Sequence, residues 1–149
     1  MRAIFGLVAV ALALAPTALG DAVYHSDHIS LTAVGSAPLR GGFVENIHPN
    51  GPIVFAHEQY VLNGAMPDTT YMVTIHIAGA ADATCAAPFL NLATATFTTN
   101  AAGNGSANKV FTPADVDGLA NSTAHAFWTV RTGADVVYRT SCKTIQLDA

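Results

Sequence analysis

The stretch GAMPDTTYMVTIHI, residues 64–77, leads from a turn into a strand and decides how the chain is organised. Pro67 presets its own φ, and Asp68 and Thr69 can satisfy nearby backbone groups. Tyr71 brings a large ring to bury and a hydroxyl that needs a partner. From Tyr71 onward apolar and polar residues alternate, which is the period-two pattern of a half-buried strand. We therefore predict a structural corner that opens into a strand.

The predicted strand has two different faces. Tyr71, Val73, Ile75 and Ile77 share the inward face, and His76 lies on the outward face. The same period of two recurs along most of the chain, and no convincing amphipathic helix interrupts it. About eight short strands separated by turn signals predict an all-β sandwich or barrel formed by one domain.

The residues around this corner resemble the L-x-P-x-T-x-Y-x-V corner of fibronectin-type-III and bacterial immunoglobulin-like domains. The matching positions are Pro67, Thr69, Tyr71 and Val73, and Ala65 stands where the family usually has leucine. The resemblance implies that the Tyr71 hydroxyl bonds the backbone a few residues upstream. Such a bond locks the chain where it crosses between two sheets.

A second segment, FTTNAAGNGSANKVF at residues 97–111, resembles a hairpin of bacterial secreted immunoglobulin-like modules. Together the two resemblances imply an immunoglobulin-like β-sandwich of about eight antiparallel strands. A fibronectin-type-III domain has only two strands after its corner, and this chain has four or more, so we expect a different strand order. A fold of this kind does not specify an activity.

The N-terminal residues have the pattern of a secretory signal peptide. Arg2 gives a basic start, residues 3–15 form an unbroken apolar run, and small residues up to Gly20 precede the predicted cleavage site. The apolar run is shorter than the ~20 residues that span a bilayer. We therefore predict a leader over residues 1–20 and a secreted, extracellular domain over residues 21–149, with no membrane span.

The charge of the chain limits its partners. Charged residues make up only 11% of the sequence, against ~25% in ordinary soluble domains. Six Lys and Arg stand against ten Asp and Glu, a net charge of −4 that becomes −5 without Arg2. An acidic chain with scattered bases lacks the footprint of a nucleic-acid-binding protein. We expect a protein or a glycan as the partner, and no nucleic acid.

The chain has two cysteines, Cys85 and Cys142. In an oxidising compartment such a pair predicts one disulfide. In the chain-entropy model a bridge that closes a loop of this length contributes about 4 kcal/mol to stability. A reactive thiol is the alternative, and it would need an activating neighbour.

Six histidines raise the possibility of a zinc or copper site. The segment HSDH brings His25 and His28 close together, but such a site needs three or four ligands that converge on one ion. The helical zinc-peptidase motif fails at His57, because Val61 occupies the fourth position after it. We predict no cofactor, and His25 and His28 remain the metal candidates of the alternative.

The neighbouring aromatic residues Phe127 and Trp128 must face opposite sides of one strand. Trp128 shares its side with Ala126 and Val130, so we assign it to the core. Phe127 then shares the other side with Arg131, where an exposed aromatic ring beside an arginine can form part of a binding face. The alternative is that a loop or the N-terminal arm covers Phe127.

No motif for nucleophilic catalysis stands out, because G-x-S-x-G is missing from the sequence. Carboxylates such as Glu45 and Glu58 could form a hydrolytic pair, but any sequence with ten acidic residues offers such combinations. Their presence alone is therefore not a specific signal. We therefore expect a secreted non-enzymatic binding or surface-associated module. The alternatives are a histidine-based copper or zinc binding protein and an unrecognised secreted hydrolase.

Overall fold

The structure, a computed structural model, describes residues 25–48, 56–116 and 122–147. The predicted leader over residues 1–20 lies outside these ranges. Among the described residues no helix has the length and hydrophobicity needed to cross a bilayer.

The described chain is all-β, with one short 3-10 turn at Pro113–Val116. Its strands, in chain order, are β1 (His25–Ser30), β2 (Thr32–Ala33), β3 (Gly41–His48), β4 (Ala56–Asn63), β5 (Thr70–Ala78), β6 (Leu90–Thr98), β7 (Gly105–Phe111), β8 (Ser122–Thr132), β9 (Asp135–Arg139) and β10 (Lys143–Leu147).

The strands form two antiparallel sheets. The smaller sheet has the order β1-β3-β4-β7, and the larger has the order β2-β9-β8-β5-β6. Strand β10 also pairs with β8, over Ser122–Ala126, next to the stretch that pairs with β9. The chain changes sheets at Leu31, because β1 pairs with β3 and β2 pairs with β9.

The core lies between the two sheets and consists of alternate residues from each strand. Tyr71, Val73, Ile75 and Ile77 of β5 are all buried, as predicted from the period of two. Trp128 of β8 is fully buried as well. Of the largest fully buried side chains, Trp128, Tyr71 and Tyr138 come from the larger sheet and Tyr60 comes from the smaller one.

The sequence predicts about eight strands, and the described residues contain ten. At the N-terminal end, β1 and β2 are separate strands because the chain passes from one sheet to the other at Leu31. At the C-terminal end, β10 follows β9 as a separate strand after residues 140–142.

Strand β4 is regular over Ala56–Asn63, and both of its pairings keep a continuous register. Glu58 lies on its inward face between Ala56 and Tyr60 and is fully buried. An acidic residue interrupts the apolar face of a regular strand.

The corner around Tyr71 is held by hydrogen bonds to its hydroxyl. The backbone N–H of Met66 donates to the Tyr71 oxygen at 3.2 Å. The Tyr138 hydroxyl lies 3.4 Å from the same oxygen and donates to the Pro38 carbonyl at 2.7 Å. The Thr69 hydroxyl donates to the Pro67 carbonyl at 2.7 Å. These bonds join the corner to β9 and to the segment before β3.

The disulfide between Cys85 and Cys142 is confirmed, and it links positions 57 residues apart. It joins the loop between β5 and β6 to the connection between β9 and β10. The carboxylate of Asp82 organises the first loop, since it accepts bonds from the backbone N–H groups of Thr84, Ala86 and Ala87. These bonds lower the pKa of Asp82, and the backbone bond from Ala87 has the largest effect.

Tyr71→Phe tests the corner. The substitution keeps the buried ring and leaves the partly buried N–H of Met66 without its acceptor. We expect the free energy of unfolding to fall by ~1–2 kcal/mol, measured by urea denaturation. Thr70→Val is the matched control, because it removes a hydroxyl from an exposed pair with Thr98 and should cost little. A Tyr71→Phe protein as stable as the wild type would contradict this role.

Candidate functional site

Glu58 is the acidic residue with the most unusual surroundings in the described chain. Its side chain is fully buried and accepts three hydrogen bonds. Asn46 Nδ2 donates to Oε1 at 2.8 Å, and the Tyr60 hydroxyl and Trp128 Nε1 donate to Oε2 at 2.5 and 2.9 Å. Asn46 and Tyr60 belong to the smaller sheet and Trp128 to the larger one. The carboxylate therefore joins the two sheets.

Burial raises the pKa of Glu58 to about 7, although its three donors favour the charged form. Active-site carboxylates often have pKa values shifted in this way. A catalytic acid must also reach a substrate, and the side chain of Glu58 has no solvent-exposed surface. The arrangement is suited to holding the sheets together and gives no support to a hydrolytic role for this residue.

The outward surface of the larger sheet carries a second group of functional side chains. We call this surface the basic face and define it by His76, Phe127, Arg131 and Arg139. His76 and Phe127 stack with ring centroids 4.5 Å apart and an interplanar angle of 11°. The guanidinium carbon of Arg139 lies 5.5 Å from the centroid of Phe127. Phe127 is thus half-buried between a histidine and an arginine.

His76 is fixed by its neighbours on both sides. Its Nδ1 is hydrogen-bonded to the Asn91 side-chain oxygen, and its Nε2 lies 2.8 Å from the Thr129 hydroxyl. Burial lowers the pKa of His76, and the positive charges of Arg131 and Arg139 lower it further, against the bond to Asn91. These effects favour the neutral form of the His76 ring, and the arginines supply the positive charge of this face.

Strand periodicity predicted Phe127 and Arg131 as part of a binding face, but it did not predict Arg139. The structure shows that Arg139 is the arginine that lies over the Phe127 ring. An uninterrupted hairpin would pair Thr129 with Tyr138. One extra residue in β9 changes the register so that Thr129 pairs with Arg139. Tyr138 consequently enters the core, and Arg139 is exposed on the outward face. No local sequence signal reveals this shift.

Two of the positive charges of the chain lie on this face. Of the six Lys and Arg residues, Arg131 and Arg139 belong to the basic face, and Lys143 lies on β10, which pairs with β8. Within the described ranges none of these three forms an ion pair with a carboxylate. By contrast, Lys109 on the smaller sheet pairs with Asp115 at 2.9 Å. The basic face therefore presents charge that an anionic ligand can neutralise.

The metal candidates His25 and His28 lie on β1. His28 Nδ1 is 2.8 Å from a carboxylate oxygen of Glu45, and its ring is tilted against Phe43 with centroids 4.4 Å apart. The side chain of His25 is outside the described part of the structure. Over the described ranges no three His, Cys, Asp or Glu residues converge as metal ligands.

Comparison with known proteins finds no match to this chain among family models, curated proteins or solved structures.

The pKa of Glu58 predicts how stability depends on pH. The unfolded chain releases this proton near pH 4.5 and the folded chain near pH 7. Between these values the folded state binds more protons, so stability falls as pH rises. We expect Glu58 to account for a loss of about 3 kcal/mol between pH 4.5 and pH 7.

Glu58→Gln removes the titrating group and should flatten this part of the stability curve, measured by urea denaturation at several pH values. Glu45→Gln is the control. The hydrogen bond from the Ser26 hydroxyl lowers the pKa of Glu45 most, and the bond and charge of His28 lower it further. The titration of Glu45 therefore changes stability below pH 4.5, outside the range in which Glu58 acts. Equal slopes for Glu58→Gln and the wild type would show that the raised pKa is wrong.

Proposed function

We propose that the protein is a secreted, immunoglobulin-like β-sandwich that acts as a non-enzymatic binding module for an anionic partner. Two packed antiparallel sheets and the bond from Met66 to the Tyr71 hydroxyl support the immunoglobulin-like assignment. The signal-peptide pattern over residues 1–20 supports secretion. The disulfide between Cys85 and Cys142 is compatible with an oxidising compartment.

The observation that carries the proposed binding role is the basic face. The guanidinium carbon of Arg139 lies over the Phe127 ring, 5.5 Å from its centroid, and this cation–π contact favours that position before any ligand binds. The N–H donors of a guanidinium lie in the plane of the group, where they can meet a carboxylate or a sulfate. Arg131 adds a second charge on the same surface. A cation that is positioned in advance loses less conformational entropy when a ligand binds.

The wider charge distribution argues that such binding is specific. The chain as a whole is acidic, with a net charge of −4, so a polyanion would be repelled by most of its surface. Attraction depends on Arg131 and Arg139 of the basic face. Removing one of these charges should therefore weaken binding far more than removing a positive charge elsewhere.

Binding to two immobilised polyanions, heparin and poly-L-glutamate, tests this role by biolayer interferometry. We expect the wild type to bind at least one of them. Arg131→Gln and Arg139→Gln should each weaken binding about tenfold, the effect of losing one charge-assisted hydrogen bond. Thermal denaturation checks that both variants remain folded.

Lys109→Gln is the matched control, because it removes one positive charge from the opposite sheet. It should leave the affinity within about twofold of the wild type. Failure of the wild type to bind either polyanion, or an equal loss of affinity in Lys109→Gln, would overturn the proposed binding role.

A further inference from the structure

A cleft lies beside the basic face, where the edges of the two sheets meet. Its volume is about 460 Å³, within the ~300–1,000 Å³ range of small-molecule sites. One wall comes from β1, at the edge of the smaller sheet, and the other from β9 and the start of β10. We call it the edge cleft. Arg139 lines it and also lies over the Phe127 ring, so the cleft and the basic face share this residue.

The edge cleft is lined by polar residues. Its cations are Arg139 and Lys143, and hydroxyl groups come from residues such as Ser30, Thr32 and Ser141. None of the described residues that line it is apolar, and none carries a carboxylate. A ligand that fits this lining is hydrophilic and bears at least one negative charge.

His28 gives the cleft a different kind of polar group. Its Nδ1 lies 2.8 Å from a Glu45 carboxylate oxygen, so in the neutral ring Nδ1–H donates to that oxygen. The remaining nitrogen, Nε2, is then an acceptor for a ligand hydroxyl. The Glu45 carboxylate also accepts a hydrogen bond from the Ser26 hydroxyl. The two hydrogen bonds to Glu45 hold His28 and Ser26 next to each other on β1.

We propose that the edge cleft binds an acidic sugar residue of a polysaccharide. Arg139 and Lys143 bind its carboxylate or sulfate group, and His28 and the cleft hydroxyls bind its ring hydroxyls. This inference rests on the proposed binding role and specifies the ligand. An acidic peptide fits less well, because the cleft has no apolar wall for its side chains. The sugar ring does not have to stack on Phe127, because His76 and Arg139 already contact that ring.

Isothermal titration calorimetry with four probes tests the ligand class. The probes are a hexamer of galacturonic acid, its methyl ester, a sulfated hexasaccharide and hexaglutamate, each added to protein purified from cells that express the full-length chain. At least one acidic oligosaccharide should bind, and the methyl ester and hexaglutamate should bind at least tenfold more weakly. The stronger of the two acidic sugars identifies the group as carboxylate or sulfate.

Lys143→Gln and Ser141→Ala test the position of the site. Lys143→Gln should weaken binding of the acidic sugar about tenfold and Ser141→Ala several-fold. Lys109→Gln, with the same loss of charge on the other sheet, should leave it unchanged. Tight binding of hexaglutamate, or an affinity insensitive to Lys143→Gln, would overturn the inference.

The two proposals can fail separately. If neither acidic sugar binds while heparin or poly-L-glutamate binding still depends on Arg131, the edge cleft is not a sugar site and the basic face keeps its role. If the dependence on Arg131 is also lost, both proposals are wrong.

Discussion

The indole N–H of Trp128 donates to the buried carboxylate of Glu58 across the two sheets, and the packing on both sides depends on this bond. A buried carboxylate deprived of its donors would cost several kcal/mol. Asn46 lies opposite Glu58 in the register of β3 and β4 and supplies another donor. A slip of one residue in β4 would move Glu58 to the outward face and break its bonds to these donors. The carboxylate therefore specifies the register of the smaller sheet and the position of β8 above it.

This arrangement in the core also determines what the surface presents. Because Trp128 faces inward, Phe127 must face outward on the same strand. Its ring then stacks with His76 of β5, which pairs with Phe127 in register. The guanidinium of Arg139, on β9, lies over the same Phe127 ring. The basic face is thus a consequence of how the core sets the orientation of β8, and any ligand that it binds meets groups already held in place.

Much of the fold could be predicted from particular residues. The alternation after Tyr71 identified the buried face of β5, the neighbours of Trp128 identified its side of β8, and the cysteine count identified the disulfide. The position of Glu58 could not be predicted. Hydropathy assigns an acid to the surface, and the donors that allow its burial include Asn46, 12 residues away, and Trp128, 70 residues away. Only the folded chain brings these partners together.

The sequence by itself determined the all-β class, the corner, the inward faces of the central strands and the outward position of Phe127, because strand periodicity and turn chemistry act over a few neighbouring residues. Tertiary structure alone decided that one extra residue in β9 turns Arg139 outward and that the chain changes sheets at Leu31. It also decided that the edge cleft forms between β1, at the edge of the smaller sheet, and the strands β9 and β10 of the larger one. Strand pairing, bulges and edge contacts depend on packing between segments far apart in the chain, and a local pattern carries no information about them.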